Sequence, residues 1–163
     1  MQNFNKISIS ILLILISFNL MAKKHPMLKV IKNDSALLIG EVSIITYEKE
    51  KYLIAIGEAD IKDKIPDSLM EAIIVSKTLA EALLTNFIHK VKITTKEELK
   101  SQIITIKIVK DGKLISAKKS NKEIYIETIK EQGHGILKNI INIGKWKNKD
   151  KTIYFYALAI KIK

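Results

Sequence analysis

The stretch at residues 66–91, PDSLMEAIIVSKTLAEALLTNFIHKV, decides the fold of this chain. Its apolar residues recur at helical spacing: Leu69, Ala72, Ile73, Ala80, Leu83 and Phe87. Further apolar residues widen this face: Met70, Ile74, Leu84, Ile88 and Val91. A narrower polar stripe lies opposite: Glu71, Thr78, Glu81, Thr85 and His89. A helix that is apolar over more than half of its circumference packs against a sheet.

The start of this helix carries a capping signal. Pro66 precedes Asp67 and Ser68, and Ser68 stands three residues before Glu71. In this capping-box spacing each side chain accepts a hydrogen bond from the other residue's backbone N–H, and we expect the helix to span residues 67–91. Residues 60–66 before it are predicted to be a charged loop.

Two strands precede the helix. Residues 36–46 (ALLIGEVSIIT) and 52–59 (YLIAIGEA) are rich in β-branched residues, and the charged residues 48–51 separate them. This pattern predicts a hairpin, with a bulge at Gly40. Residues 25–34 are interpreted as a polar lead-in.

Strands also follow the helix. Residues 102–109 (QIITIKIV) alternate, with Ile104, Ile106 and Ile108 on one face and Lys107 on the other. Asp111-Gly112 predicts a tight turn into a further strand at 113–117.

The last part of the chain predicts a terminal pair of strands. Residues 136–147 and 152–163 are two long strand patterns joined at 148–151. Before them, residues 120–132 fit either a helix or a strand, and Gly133-His134-Gly135 ends that segment. Together the patterns predict an α+β fold, an antiparallel or mixed sheet with one long amphipathic helix packed on one face.

The N-terminus has the features of a signal peptide. One lysine, Lys6, precedes the apolar run at residues 7–18, and Ala22 offers a small residue for cleavage. The run is shorter than the roughly 20 residues that span a bilayer. We therefore predict a signal peptide at residues 1–22, with an uncleaved anchor as the alternative. The rest divides into an N-terminal lead-in and strand (23–51) and an α+β domain (52–163).

Composition excludes several classes of protein. None of the 163 residues is cysteine, which excludes disulfides, Cys-ligated metals and acylation at a lipoprotein cysteine. All 28 basic residues are lysines and the formal charge is +11. Predicted export and the lack of arginine argue against a nucleic-acid partner. The lysines predict a solvated basic surface, and the alternative is a surface that lies against anionic lipid headgroups.

Residues able to carry chemistry are few. His25, His89 and His134 lie far apart in the sequence, with no spacing typical of a metal or nucleophile site. Four carboxylates cluster before the helix: Glu58, Asp60, Asp63 and Asp67. They lack the ligand spacing of a calcium loop and have lysines between them, which favours a solvated loop. No catalytic residue, cofactor-binding residue or metal ligand is predicted.

Three aromatic residues in the terminal pair of strands allow two interpretations. Trp146, Tyr154 and Tyr156 are able to stack on a ligand or to pack across neighbouring strands. Packing across strands is the commoner arrangement, and we predict it here.

The order of the segments resembles a known family. The motifs are Ile56-Gly57-Glu58-Ala59 at a strand end, Ala80, Ala82 and Leu83 in the helix, and Trp146 with Tyr154, Tyr156, Leu158 and Ala159 in the last hairpin. Over residues 52–163 they resemble the twenty-kilodalton bacterial outer-membrane lipoprotein family, which includes FlgP-like flagellar lipoproteins. They are also similar to the N-terminal domain of the flagellar ring protein FlgT. The chain departs from the lipoproteins in lacking the acylated cysteine.

The resemblance implies a non-enzymatic protein of the cell envelope, structural or involved in assembly, at the outer membrane or the flagellar basal body. Its expected partners are copies of itself or other envelope proteins. Without the acylated cysteine the expected location is the periplasm. The alternative hypothesis is a periplasmic module that binds an anionic lipid or glycan through its lysines.

Overall fold

A computed structural model of the protein describes residues 25–35, 38–63, 65–93, 105–116, 129 and 138–162. In chain order its elements are α1 (Leu28–Asn33), β1 (Ser43–Tyr47), β2 (Glu50–Asp60), α2 (Pro66–Ile93), β3 (Thr105–Lys110), β4 (Lys113–Ser116), β5 (Ile140–Lys147) and β6 (Ile153–Ile162).

The six strands form one mixed sheet in the order β4-β3-β1-β2-β6-β5. Strands β1 and β3 are parallel, and every other neighbouring pair is antiparallel. The longest pairing joins β2 to β6 in the middle of the sheet and runs from Lys51 opposite Ile162 to Asp60 opposite Ile153. Helix α2 packs over these two strands. The predicted α+β fold, a sheet with one long helix on one face, is confirmed.

The predicted hairpins are confirmed, but several strand boundaries change. Strand β1 starts at Ser43, β2 starts at Glu50 and β5 starts at Ile140. Glu48 and Lys49 have φ values of 50° and 68°, and Asp111 and Gly112 have φ values of 52° and 72°. Two successive left-handed residues form the tight turn that matches the twist of an antiparallel pair. The bulge predicted at Gly40 is wrong, because Gly40 (φ 80°) lies in a turn before β1, which starts only at Ser43.

Helix α2 spans Pro66–Ile93, so it starts one residue earlier and ends two residues later than predicted. Its first residue is Pro66, whose missing N–H and fixed φ suit the first helical turn. The Ser68 hydroxyl accepts a hydrogen bond from the backbone N–H of Asp63 (3.1 Å). Ser68 therefore ties the preceding loop to the helix, and the predicted capping box with Glu71 is wrong.

The buried face of α2 also differs from the predicted one. Its buried residues are mostly four residues apart: Ser68, Ala72, Ser76, Ala80, Leu84, Ile88 and Val91. The predicted core residues Leu69, Ile73, Leu83 and Phe87 are only partly buried at the margin of this row. Residues four apart do not lie exactly above one another on a helix, so the buried row shifts around α2 along its length. A prediction that assumes one fixed apolar face therefore misplaces it.

The opposite face of the sheet has its own apolar core. Helix α1 covers part of it, with Met27 and Ile31 fully buried against inward-facing strand residues. Interpreting residues 25–34 as a polar lead-in is therefore wrong. The apolar residues of this segment are spaced as in a short helix, and its lysines face solvent.

Several predictions fall on residues outside the described part of the chain. These are the signal peptide at 1–22, residues 102–104 and 117 of the predicted strands, the Gly133-His134-Gly135 break and residues 136–137. Of the segment 120–132, only Ile129 is described, and its side chain is fully buried in the core on the α2 face.

Candidate interaction surfaces

The histidines do not come together in the described part of the chain. His25 lies beside Tyr52, with ring centroids 6.0 Å apart, and its Nδ1 accepts the backbone N–H of Met27. Burial lowers the pKa of His25, and the nearby Glu48 partly offsets this shift. His89 is exposed near the end of α2, and His134 lies outside the described residues.

The four carboxylates before the helix are exposed and lie in three different elements. Glu58 and Asp60 belong to β2, Asp63 to the loop tied to the helix, and Asp67 to the first turn of α2. Among the described residues, no three His, Asp or Glu side chains are placed to hold a metal ion. The interpretation as a solvated loop holds for the exposure of the four side chains, but only Asp63 lies in a loop.

The aromatic residues of the last two strands pack inside the sheet. Trp146 stacks on Phe155 of the neighbouring strand, with ring centroids 5.3 Å apart and planes inclined by 21°. On the other face, the Tyr156 hydroxyl accepts a hydrogen bond from Asn142 Nδ2 (2.9 Å). Trp146, Tyr154 and Tyr156 are all buried. Packing across strands, the predicted arrangement, is therefore confirmed.

A first candidate surface lies on the outer side of α2. Four apolar side chains are exposed there: Met70 (59%), Ile74 (58%), Val75 (40%) and Leu79 (45%). Scattered exposed apolar residues are ordinary, but a group of large ones within ten residues of one helix is typical of an interaction site. We call these four residues the α2 patch. The sequence pattern assigned Met70 and Ile74 to the buried face, so it missed this surface.

A second candidate surface is a groove of about 790 Å³ at one end of the sheet. It lies between the β2–α2 loop, the first turn of α2 and the β5–β6 turn. Its lining residues are Ile61, Lys62, Asp63, Ile65, Pro66, Leu69, Lys147, Asp150, Lys151 and Thr152. Sequence reasoning missed the groove because its walls come from segments about 80 residues apart.

Comparisons with known proteins give this chain no relative. It matches no protein-family model, and no curated protein or solved structure is significantly similar to it. The resemblance stated above therefore stays a prediction. No helix within the described ranges is both long and apolar enough to cross a bilayer.

Proposed function

We propose that this protein is a non-enzymatic structural or assembly protein of the cell envelope that associates with copies of itself through the α2 patch. The observation that carries the proposal is the spacing of the patch. Met70 and Ile74 are four residues apart, and so are Val75 and Leu79. The four positions are therefore symmetric about the midpoint between Ile74 and Val75, and their spacing is the same in either direction along the helix.

This symmetry favours a second copy as the partner. A two-fold symmetric interface brings the same surface of both subunits together, so it must be complementary to itself. Nine residues turn a helix by about 900°, so Met70 and Leu79 lie on opposite sides of α2. If two α2 helices pack antiparallel with the axis between Ile74 and Val75, the two copies of Ile74 meet on one flank of the interface. The two copies of Val75 meet on the other flank.

The polar residues between the two apolar pairs fit the same arrangement. Glu71 and Thr78 lie between them on the helix surface, and both are exposed. The same axis places Glu71 opposite Thr78, whose hydroxyl is able to donate a hydrogen bond to the carboxylate. The charged residue at the centre of the interface therefore keeps a polar partner.

Charge does not oppose this pairing, although the chain as a whole carries +11. Around the α2 patch the charged side chains are Asp67, Glu71, Lys77, Glu81 and Lys62, and both lysines have carboxylate partners: Lys77 Nζ lies 3.6 Å from Glu81 Oε1 and Lys62 Nζ lies 4.0 Å from Glu71 Oε1. The surroundings of the patch therefore carry no basic excess.

The expected association is weak. A stable dimer buries about 800 Å² on each partner, and four partly exposed side chains supply only the apolar centre of such an area. We expect a dissociation constant that is roughly micromolar or weaker. Sedimentation of the protein should therefore depend on its concentration.

Single cysteines test the geometry, because the natural chain has none. An Ile74→Cys variant places two thiols beside the axis, and it should form a disulfide-linked dimer under mild oxidation. Met70→Cys should not link to itself, because nine residues of helix separate its two copies by about 13 Å. Val75→Cys, beside the axis on the other flank, should also link to itself. Lys149→Cys, in the exposed β5–β6 turn, is the control for random collisions.

Two results would overturn self-association through this face. One is efficient linking of Met70→Cys to itself, which indicates a parallel or random contact. The other is a protein that remains monomeric at all concentrations in sedimentation, with no linking of Ile74→Cys above the Lys149→Cys control.

Placement in the envelope rests on the predicted signal peptide and on the family resemblance, and it needs a separate experiment. A tagged chromosomal copy should be enriched in detergent-extracted flagellar basal bodies, and a Met70→Asp, Leu79→Asp double variant should lose this enrichment. Thr85→Asp, exposed on the same helix, is the matched control. Recovery of the wild-type protein only in the soluble periplasmic fraction would remove the flagellar link and leave self-association to the cysteine test.

A further inference from the structure

We infer that the groove between the first turn of α2 and the β5–β6 turn binds a single-chain amphiphile with one negative charge, such as a long-chain carboxylate. This inference goes beyond self-association and uses a different surface. It rests on the apolar floor of the groove, its basic rim and the hydrogen bonds that fix its walls.

Four of the residues that line the groove are apolar, and we call them its floor: Ile61, Ile65, Pro66 and Leu69. Ile65 leaves 56% of its surface exposed. Burial of apolar area against an alkyl chain is favourable by about 25 cal/mol per Å². The volume of about 790 Å³ lies in the range of small-molecule sites. The groove therefore fits a ligand with an apolar tail.

The rim of the groove favours an anionic headgroup. Lys62, Lys147 and Lys151 line it together with Asp63 and Asp150, so the lining residues that the structure describes carry one net positive charge. Lys62 Nζ lies 4.0 Å from Glu71 Oε1, so Lys62 already has a carboxylate partner. Within the described residues neither Lys147 nor Lys151 forms an ion pair. These two ammonium groups are therefore available to a carboxylate.

The first turn of α2 adds to the positive potential. The first N–H groups of a helix have no partner within the helix, and this end of the helix dipole is positive. Pro66 and Leu69 of this turn line the groove. The helix end and the two lysines therefore attract the same kind of group.

Hydrogen bonds hold the two walls in place before any ligand arrives. Asn148 Oδ1 accepts the backbone N–H groups of Thr152 and Ile153, at 2.8 and 3.0 Å, which fixes the β5–β6 turn. The Ile61 N–H donates to the Thr152 carbonyl (2.7 Å) and joins this turn to the β2–α2 loop. A site that is already formed loses less entropy when it binds a ligand.

Dodecanoate below its micellar concentration is the probe, with binding measured by titration calorimetry on the full mature chain. We expect saturable binding of dodecanoate, weaker binding at high salt, and no binding of acetate or dodecyltrimethylammonium. A Lys147→Gln, Lys151→Gln double variant should bind about five- to tenfold more weakly, because each exposed charge contact contributes modestly. Lys149→Gln removes one charge from the same turn outside the groove, and Lys151→Gln alone removes one charge inside it. Lys149→Gln should bind like wild type, and Lys151→Gln should bind more weakly.

Three outcomes overturn the inference. The first is equal loss of affinity in Lys149→Gln and the double variant, which indicates general charge attraction. The second is binding of acetate as strongly as dodecanoate, which removes the role of the apolar floor. The third is binding to phosphatidylglycerol vesicles without binding of monomeric dodecanoate, which indicates a membrane-facing surface. None of these outcomes changes the cysteine test of self-association, because Lys147 and Lys151 lie outside the α2 patch.

Discussion

At the scale of single residues, Gly57 sets how closely α2 approaches the sheet. A Cβ atom at this position would lie 1.9 Å from the Ser76 carbonyl oxygen and 2.6 Å from the Ala80 backbone nitrogen. No real Cβ makes such contacts, so the helix backbone rests directly on the glycine of β2. Ser76 and Ala80 are fully buried on the underside of the helix, where larger side chains would hold it away from the strand.

Gly57→Ala should destabilise the protein by about 3 kcal/mol, because the obstructing atoms are backbone and cannot move without lifting the helix. Gly40→Ala is the comparison. A Cβ added at Gly40 would have no atom within 4 Å, and its cost of about 1 kcal/mol comes only from the positive φ. Urea unfolding of both variants measures the difference. Equal losses of stability would contradict the close contact.

Lys107 is a buried charge of the sheet, with only 5% of its surface exposed. Burial lowers the pKa of its ammonium from the ordinary 10.5, and the nearby Glu41 partly offsets the shift. The unfolded chain therefore binds more protons than the folded one between the lowered pKa and 10.5. Over this range the contribution of Lys107 to stability should rise with pH.

Lys107→Met tests this effect, since methionine fills a similar space without the charge. We expect the stability of the wild type relative to this variant to be lowest near neutral pH, where Lys107 is charged. It should increase as the pH rises towards the ordinary lysine pKa and Lys107 of the wild type loses its proton. The free energy of unfolding in urea, measured from neutral pH upwards, gives the answer. A difference that does not change with pH would contradict it.

At the scale of the element, α2 shows that its buried and exposed faces are set by the sheet beneath it. Leu84 is fully buried and Leu79 is 45% exposed, although both are leucines of one helix. The predicted core position Leu83 lies at the margin between these two environments.

Leu84→Ala should lower the free energy of unfolding by about 2–5 kcal/mol, because it leaves a cavity in the core. Leu79→Ala removes the same atoms from an exposed position and should change stability by less than about 0.5 kcal/mol. Thermal and urea unfolding of dilute protein, at which self-association is absent, compare the two variants. Similar losses in both would show that α2 is rotated about its axis relative to this arrangement.

At the scale of the whole molecule, α2 packs on one face of the sheet and α1 covers part of the other, so we expect α1 to unfold together with the rest of the domain. Ile31 of α1 is fully buried against the face opposite α2. The Asp34 carboxylate also accepts the backbone N–H of Leu114 in β4 (2.9 Å), which ties this segment to the far side of the sheet.

Ile31→Ala should therefore lower the free energy of unfolding of the whole domain by about 2–5 kcal/mol. The loss should be the same by tryptophan fluorescence, which follows Trp146, and by far-ultraviolet circular dichroism, which follows α2 and the sheet. A variant that loosens α1 while Trp146 and α2 unfold as in wild type would show that α1 is a separate appendage.

The sequence by itself determined the elements that depend on local signals. The α2 helix, the turns at Glu48-Lys49 and Asp111-Gly112, and the terminal pair of strands follow from hydrophobic periodicity and turn chemistry, which act over a few residues. Only the tertiary structure decided which side of α2 is buried, that α1 covers the second face, and that residues about 80 positions apart form the groove. These features depend on the packing of segments distant in sequence, such as the close contact of Gly57 with α2, and no local pattern records them.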